Sequence, residues 1–228
     1  MKSTKRPKTV PPILNNTLDV CEIFQSIQGE STYAGLPCTF VRLSGCNLRC
    51  TYCDTAYALN PGKILSIASI VRQVSAFKCG LVEITGGEPL MQKNITLLCH
   101  QLLKKKYTVL IETNGSLPID LVPDGCIRIM DVKCPSSGMS VSFHLPNLKK
   151  LNQRDECKFV ISDRRDFIWA VAFIKKYRID TRCTVLFSPN MDTLKPIRLA
   201  EWILKEKLPV RLGLQIHKII WDKCRRGV

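Results

Sequence analysis

The chain of 228 residues contains no apolar run that approaches the roughly 20 residues needed to span a bilayer as a helix. A helical membrane-spanning protein is therefore excluded. The charged N-terminus has no apolar stretch behind it and does not read as a secretory signal, so a cytoplasmic protein is expected. Internal repeats and low-complexity segments are absent. Acidic residues are scarce, with 19 Asp and Glu against 34 Lys and Arg and a formal net charge of +15. Such an excess suggests nucleic acid. However, four of the cations (Lys2, Lys5, Arg6, Lys8) sit in residues 1–12 without an acid, and others read as helix-face lysines such as Lys104, Lys105 and Lys106. No RNA-binding motif is present, and no basic stripe is interleaved with aromatics. A solvated surface with a general attraction for anionic substrates is the better reading, and nucleic acid is not the expected partner.

Hydrophobic residues make up 45% of the chain, enough for a substantial core in one domain. Twelve cysteines are present. The length, the core-like apolar runs and the missing signal argue against a secreted disulfide scaffold. Three of the twelve fall in one stretch, Cys46-Asn47-Leu48-Arg49-Cys50-Thr51-Tyr52-Cys53. The others (Cys21, Cys38, Cys79, Cys99, Cys126, Cys134, Cys157, Cys183 and Cys224) are scattered, mostly through strand or helix patterns, where a free Cys acts as a small hydrophobe. No close spacing among them supports a second metal centre.

Residues 1–16 hold three prolines and the cation cluster and read as a flexible basic extension, with one folded domain expected over residues 17–228. From Leu18 onward, strand and helix patterns alternate. Strands are predicted at 19–24, 39–43, 81–85, 107–111, 126–131, 156–161, 183–187 and 210–215. Helices are predicted at 63–77, 95–105, 165–176 (capped by Asp163) and 193–207. This order implies parallel βα units. The length falls short of the ~250 residues of a closed eight-fold barrel. The expected fold is α/β, an open, incomplete parallel β/α barrel of about seven strands. Unusual sequences recur at strand C-termini, which points to one shared active-site face.

The cysteine stretch follows a predicted buried strand, where α/β folds place their sites. Three thiolates suit a [4Fe–4S] cluster with one iron left open to a second molecule. Structural zinc usually takes four protein ligands; a zinc loop or three unrelated buried thiols is the alternative. Further along, Thr85-Gly86-Gly87-Glu88-Pro89 directly follows another strand, and its glycines let backbone approach a ligand closely. A Gly-Gly pair there can also be a plain turn.

The CxxxCxxC spacing after a strand resembles the signature of the radical S-adenosylmethionine (radical SAM) superfamily. The resemblance implies that the open iron chelates SAM and that an electron from the cluster cleaves it to a 5′-deoxyadenosyl radical. Several further stretches narrow it: Phe24-Gln25-Ser26-Ile27-Gln28-Gly29-Glu30, Phe40-Val41-Arg42, Thr55 after Cys53-Asp54, residues 131–138 (DVKCPSSG), and Leu214-Gln215-Ile216-His217-Lys218. Together, from about Val20 to the C-terminus, they resemble the family of 7-carboxy-7-deazaguanine synthases.

That resemblance implies conversion of 6-carboxy-5,6,7,8-tetrahydropterin to 7-carboxy-7-deazaguanine with loss of ammonia, with SAM regenerated and Mg²⁺ required. Cys46, Cys50 and Cys53 would hold the cluster, and Thr55 would bind Mg²⁺, its alternative role being an N-cap. SAM would lie against Tyr52, Cys53, Asp54, Gly87, Asp131, Val132, Lys133, Ser188, Pro189, Asn190 and Met191. Substrate would meet Ile27, Gln28, Gly29, Arg42, Thr85 and the Val228 carboxylate, with Glu30 taking a ring N–H and Arg42 gripping a carboxylate. His217 would support the C-terminal tail. Relatives carry Ser-Pro-Lys where this chain has Asp131-Val132-Lys133, and often Gln where it has Ser188. The resemblance also implies a homodimer and an electron donor such as flavodoxin or ferredoxin. Two other readings compete. One is a radical SAM activase that makes a glycyl radical on a partner enzyme. The other is a zinc-structural or RNA-binding module.

Overall fold

The computed structural model describes residues 16–221 and 226–227. The expected extension apart from Asn16, Cys224 and the Val228 carboxylate lie outside the described residues. β1 (Thr17–Ile27) and β2 (Pro37–Leu43) are followed by β3 (Lys63–Ser66), α1 (Ile67–Ala76), β4 (Leu81–Gly86), α2 (Ile95–Lys104), β5 (Thr108–Thr113) and β6 (Ile127–Asp131). The chain continues through β7 (Glu156–Ile161), α3 (Arg164–Tyr177), β8 (Thr184–Pro189), α4 (Pro196–Lys205), β9 (Arg211–Leu212) and α5 (His217–Ile220). All nine strands form one open sheet in the order β3-β1-β2-β4-β5-β6-β7-β8-β9. From β2 to β9 neighbouring strands run parallel. The chain builds the expected open, incomplete α/β barrel, with nine strands in place of about seven because β3 and the two-residue β9 extend its edges. Among the described residues no helix is long and apolar enough to cross a membrane.

Three departures from the expected pattern have local causes. β1 is antiparallel to both β2 and β3, not the start of a parallel unit. Its link to β2 is short and closes on itself, with Gln28 N–H donating to Leu36 O at 2.8 Å and Gly35 N–H to Gln28 O at 2.8 Å; antiparallel strands alone can be joined so tightly. Residues 63–66 are a strand, not the first turn of the helix. Ser66 stays extended and N-caps α1 by accepting the Ser69 N–H, so the helix begins at Ile67. β9 has only two residues, because the chain leaves the sheet at Gly213 and crosses back to Gly29, where Ile216 N–H donates to Gly29 O at 2.9 Å. The Asp163 cap on α3 is present, its carboxylate accepting the Asp166 N–H at 2.8 Å.

The two-residue period of the strands sorts side chains onto two faces. Val41 and Leu43, Val82 and Ile84, Val109 and Ile111, and Phe159 and Ile161 face the helices. There they form the main core with Ile70, Val74, Leu98, Leu102, Phe167 and Leu199. Each such fully buried side chain stabilises the fold by about 1.5–3 kcal/mol. On the opposite, concave face, Phe40, Leu110, Ile127 and Ile129 form a smaller apolar plug with Cys38, Cys79 and Leu81. Above this plug, toward the strand C-termini, the concave face turns polar.

Candidate active site

A cavity of about 580 Å³ opens at that polar end. Its wall is built from the C-terminal ends of β2, β4, β5, β6 and β7 and from the loops that follow them. Drug-sized and cofactor sites occupy about this volume.

The cysteine loop leaves β2 through Gly45, which adopts φ +85°. It is fastened to the turn after β4: Gly87 N–H donates to Leu43 O at 3.1 Å and Glu88 N–H to Gly45 O at 2.8 Å. A Cβ on Gly87 would lie 1.9 Å from Gly45 O and 2.9 Å from Cys46 Cβ. The second glycine therefore serves first to seat one loop on the other. Glu88 is buried and holds the next turn, accepting from Thr113 Oγ1 at 2.8 Å and from the Asn114 N–H at 2.7 Å.

Cys46, Cys50 and Cys53 all line the cavity, and none is in a disulfide. Cys46 Sγ accepts from the Leu48 N–H at 3.4 Å and faces Asn114 Nδ2 at 3.8 Å. Burial raises the Cys50 thiol above its ordinary pKa, with the Lys133 ammonium pulling the other way. Among the described residues no three His, Cys, Asp or Glu side chains converge on one point as a single ion requires. Three free thiols spread along one loop, with N–H donors aimed at the Cys46 sulfur, fit a cluster that takes one thiolate per iron. The other cysteines differ in exposure: Cys38, Cys79, Cys99, Cys126, Cys134, Cys157 and Cys183 are buried, and Cys21 is half-buried.

Thr55 lines the cavity and stands at the N-cap position of the short turn over residues 56–59, but its hydroxyl accepts no N–H there; Oγ1 lies 3.8 Å from Cys53 Sγ. Asp54 pairs with Lys218 at 2.8 Å, and its carboxyl is held below the usual range because Lys218 outweighs the effect of burial. Tyr52 also lines the cavity, its hydroxyl buried without a partner. Of the remaining expected SAM residues, Gly87, Asp131, Lys133 and Asn190 line the cavity, whereas Val132, Ser188, Pro189 and Met191 do not. Val132 falls on the helix side by strand alternation and packs in the main core. Ser188 is buried, and a Cβ on Gly213 would lie 3.0 Å from its Oγ.

On the substrate side Ile27, Gln28, Gly29, Arg42 and Thr85 are brought together. Arg42 faces inward, its Nε donating to Glu22 at 2.9 Å and its guanidinium lying 5.9 Å from the Phe24 ring centre. Gly29 leaves room for His217, whose Nδ1 would lie 2.1 Å from a Cβ there. His217 thus lines the cavity, and burial lowers its pKa.

Sequence reasoning missed a polar floor. Lys158, 3% exposed, forms ion pairs with Glu30, with Glu112 at 2.5 Å and with Asp131 at 3.3 Å. Asp131 also pairs with Lys133 at 2.9 Å, and its Oδ1 is buried without a partner. Burial alone would raise Glu30 and Asp131, but the lysines outweigh it and both are held low. Glu83 lies on the same floor, accepting from Gln28 Nε2, and burial together with Glu112 and Glu30 pushes its carboxyl well up. The available signal was a lone lysine in the otherwise apolar centre of β7, and an acid two residues before Thr85 on the same strand face.

Residues 40–202 match the model of the radical SAM superfamily. The 7-carboxy-7-deazaguanine synthase of Chlorobaculum tepidum is 45% identical over 214 residues, covering 92% of this chain and 97% of that protein. The synthase of Koribacter versatilis is 43% identical over 226 residues, covering 92% and 100%. The crystal structure of QueE from Escherichia coli superposes with a TM-score of 0.71 at 21% identity, over 87% of this chain and 93% of that one. At that identity the structural match speaks for the fold alone.

Proposed function

The chain belongs to the radical SAM superfamily and, within it, to the 7-carboxy-7-deazaguanine synthases, and we propose that it converts 6-carboxy-5,6,7,8-tetrahydropterin to 7-carboxy-7-deazaguanine with loss of ammonia, on a route to 7-deazapurines such as queuosine. The observation that carries this reading is the assembly of the three-cysteine loop, the Gly87 turn, Arg42 and Thr85 around one cavity. The activase alternative gains nothing from the relatives described above, which are synthases.

Cys46, Cys50 and Cys53 would hold the [4Fe–4S] cluster, with SAM against Tyr52, Asp54, Gly87, Asp131, Lys133 and Asn190. When bound, the cluster and SAM supply a carbon-centred radical that removes a hydrogen atom from C6 of the pterin, and SAM is regenerated. The protein's task is to position the reactants and exclude water. Arg42 uses Nε on Glu22, which leaves the Nη1–Nη2 edge for the substrate carboxylate in a bidentate grip. Ile27, Gln28 and Gly29 lie along the pterin edge, and Thr85 beside its ring. Thr55 presents a neutral hydroxyl oxygen suited to Mg²⁺, a hard cation that keeps few protein ligands and shares the rest with substrate and water. A cytoplasmic homodimer reduced by flavodoxin or ferredoxin completes the reading.

The test is one anaerobic assay with reconstituted protein, dithionite, SAM, Mg²⁺ and carboxytetrahydropterin, followed by mass spectrometry. Carboxydeazaguanine formed without net loss of SAM is expected. If SAM is cleaved and no deazaguanine forms, the substrate assignment fails and the activase reading takes its place.

A further inference from the structure

We propose that Glu83 meets the substrate as a neutral carboxyl and donates its O–H to an acceptor on the pyrimidinone ring of the pterin, so that it helps set specificity in the synthase reaction; this rests on the function proposed above.

Glu83 lies on the cavity floor, two residues before Thr85 on the same face of β4, and is 4% exposed. Its orientation is set by Gln28. The Gln28 amide oxygen accepts the Glu30 N–H at 2.9 Å, which turns its Nε2 toward Glu83 Oε2. With Oε2 engaged as an acceptor, Oε1 is the oxygen left to carry a proton and face substrate.

The surrounding charges favour that proton. The groups around Glu83 are Gln28 and Glu30 from the turn after β1, Cys38 from β2, Glu112 from β5 and Lys158 from β7. Lys158 is already shared among Glu30, Glu112 and Asp131. The floor thus gathers the carboxyls of Glu30, Glu83, Glu112 and Asp131 against the two ammonium groups of Lys158 and Lys133, and a fourth carboxylate would be buried without a cation of its own. A neutral acid in that place is a hydrogen-bond donor, and a site built to bond one polar group discriminates strongly against analogues that lack it.

The experiment measures binding of 7-carboxy-7-deazaguanine to the reconstituted holoenzyme with SAM by anaerobic equilibrium dialysis, from about pH 6 to about pH 9. Parent, E83L and E83Q are compared. E83L is expected to weaken binding by about 30-fold and to raise KM more than it lowers kcat. E83Q, whose amide N–H replaces the carboxyl O–H, is expected to recover affinity to within about fivefold of the parent. Any fall in parent affinity at alkaline pH, where the carboxyl ionises, is absent from the E83Q profile. Equal weakness of E83Q and E83L, a parental affinity in E83L, or a parent affinity that rises with pH where that of E83Q does not would each overturn the proposal. If E83L does not fold, the comparison of parent with E83Q decides alone. A parent that neither binds product nor turns over the pterin would instead refute the synthase function.

Discussion

Replacing Lys158 with Met tests the polar floor. The methionine matches the lysine stem in length and removes only the ammonium group, leaving Glu30, Glu112 and Asp131 without the cation that joins them. The lysine side chain is 4% exposed and the three acids 12% to 24%, so solvent screening is weak. Removing one partner of a buried ion pair costs about 3–5 kcal/mol, because the remaining charge stays buried and unpaired. For a domain of this size each kcal/mol moves Tm by about 2–4 °C, so a fall of about 10 °C is expected in thermal unfolding followed by circular dichroism. The pH dependence has a definite sign. In the parent, Glu30 and Asp131 are held low, so their contribution is present above the unfolded carboxylate pKa and is lost as acid takes the pH down through their lowered folded values. In the variant burial acts with less opposition and raises them, so the penalty is largest at neutral pH and relaxes as they protonate. The gap in Tm between parent and variant should therefore narrow from about pH 8 to about pH 5. A fall of less than about 2 °C, or a gap that does not change with pH, would refute the reasoning.

Other substitutions probe the rest of the site. On the proposed role of Thr55, Thr55→Ala should lower kcat and remove any stimulation of turnover by Mg²⁺ while iron and sulfide content stay at parental levels; unchanged activity and Mg²⁺ response would refute that role. Gly87→Ala forces a Cβ against Gly45 O and Cys46 Cβ; destabilisation of about 1–3 kcal/mol and reduced iron content after reconstitution are expected, measured by denaturant unfolding and iron assay. Asp163→Ala removes the cap on α3, and a loss of about 1 kcal/mol in urea unfolding is expected with kcat unaffected, since Asp163 does not line the cavity.

The cavity lining could be read from the chain where its parts lie close together in sequence. Cys46, Cys50 and Cys53 share one loop, Gly86 and Gly87 sit at the end of an obvious strand, and all five line the cavity. The parallel sheet followed from alternating periodicities, and Asp163 marked its helix correctly. The polar floor stayed hidden for a physical reason. Glu30, Glu83, Glu112, Asp131 and Lys158 come from five separate segments, so although Glu30 and Asp131 stand among the expected ligand contacts, no spacing in the chain joins them to one another or to Lys158. Which face of β2 Arg42 occupies was likewise open until Val41 and Leu43 were seen to pack under the helices. Residues 63–66 fit the apolar stripe of the following helix through Ile64, yet Ile64 is 68% exposed and the segment pairs with β1 instead.

The distribution of thiols bears on how the metal centre is put together. Twelve cysteines offer many places at which iron could be captured wrongly during assembly. Among the described residues Cys21, Cys46, Cys50 and Cys53 are open to solvent; the other seven are buried among apolar neighbours. If the polypeptide folds before metal arrives, incoming iron and sulfide meet the cavity loop and little else, so correct loading becomes a matter of order in time more than of relative affinity. Unfolding during purification would discard that kinetic filter, and refolding in the presence of iron should yield mismetallated protein where reconstitution of the folded apoprotein does not.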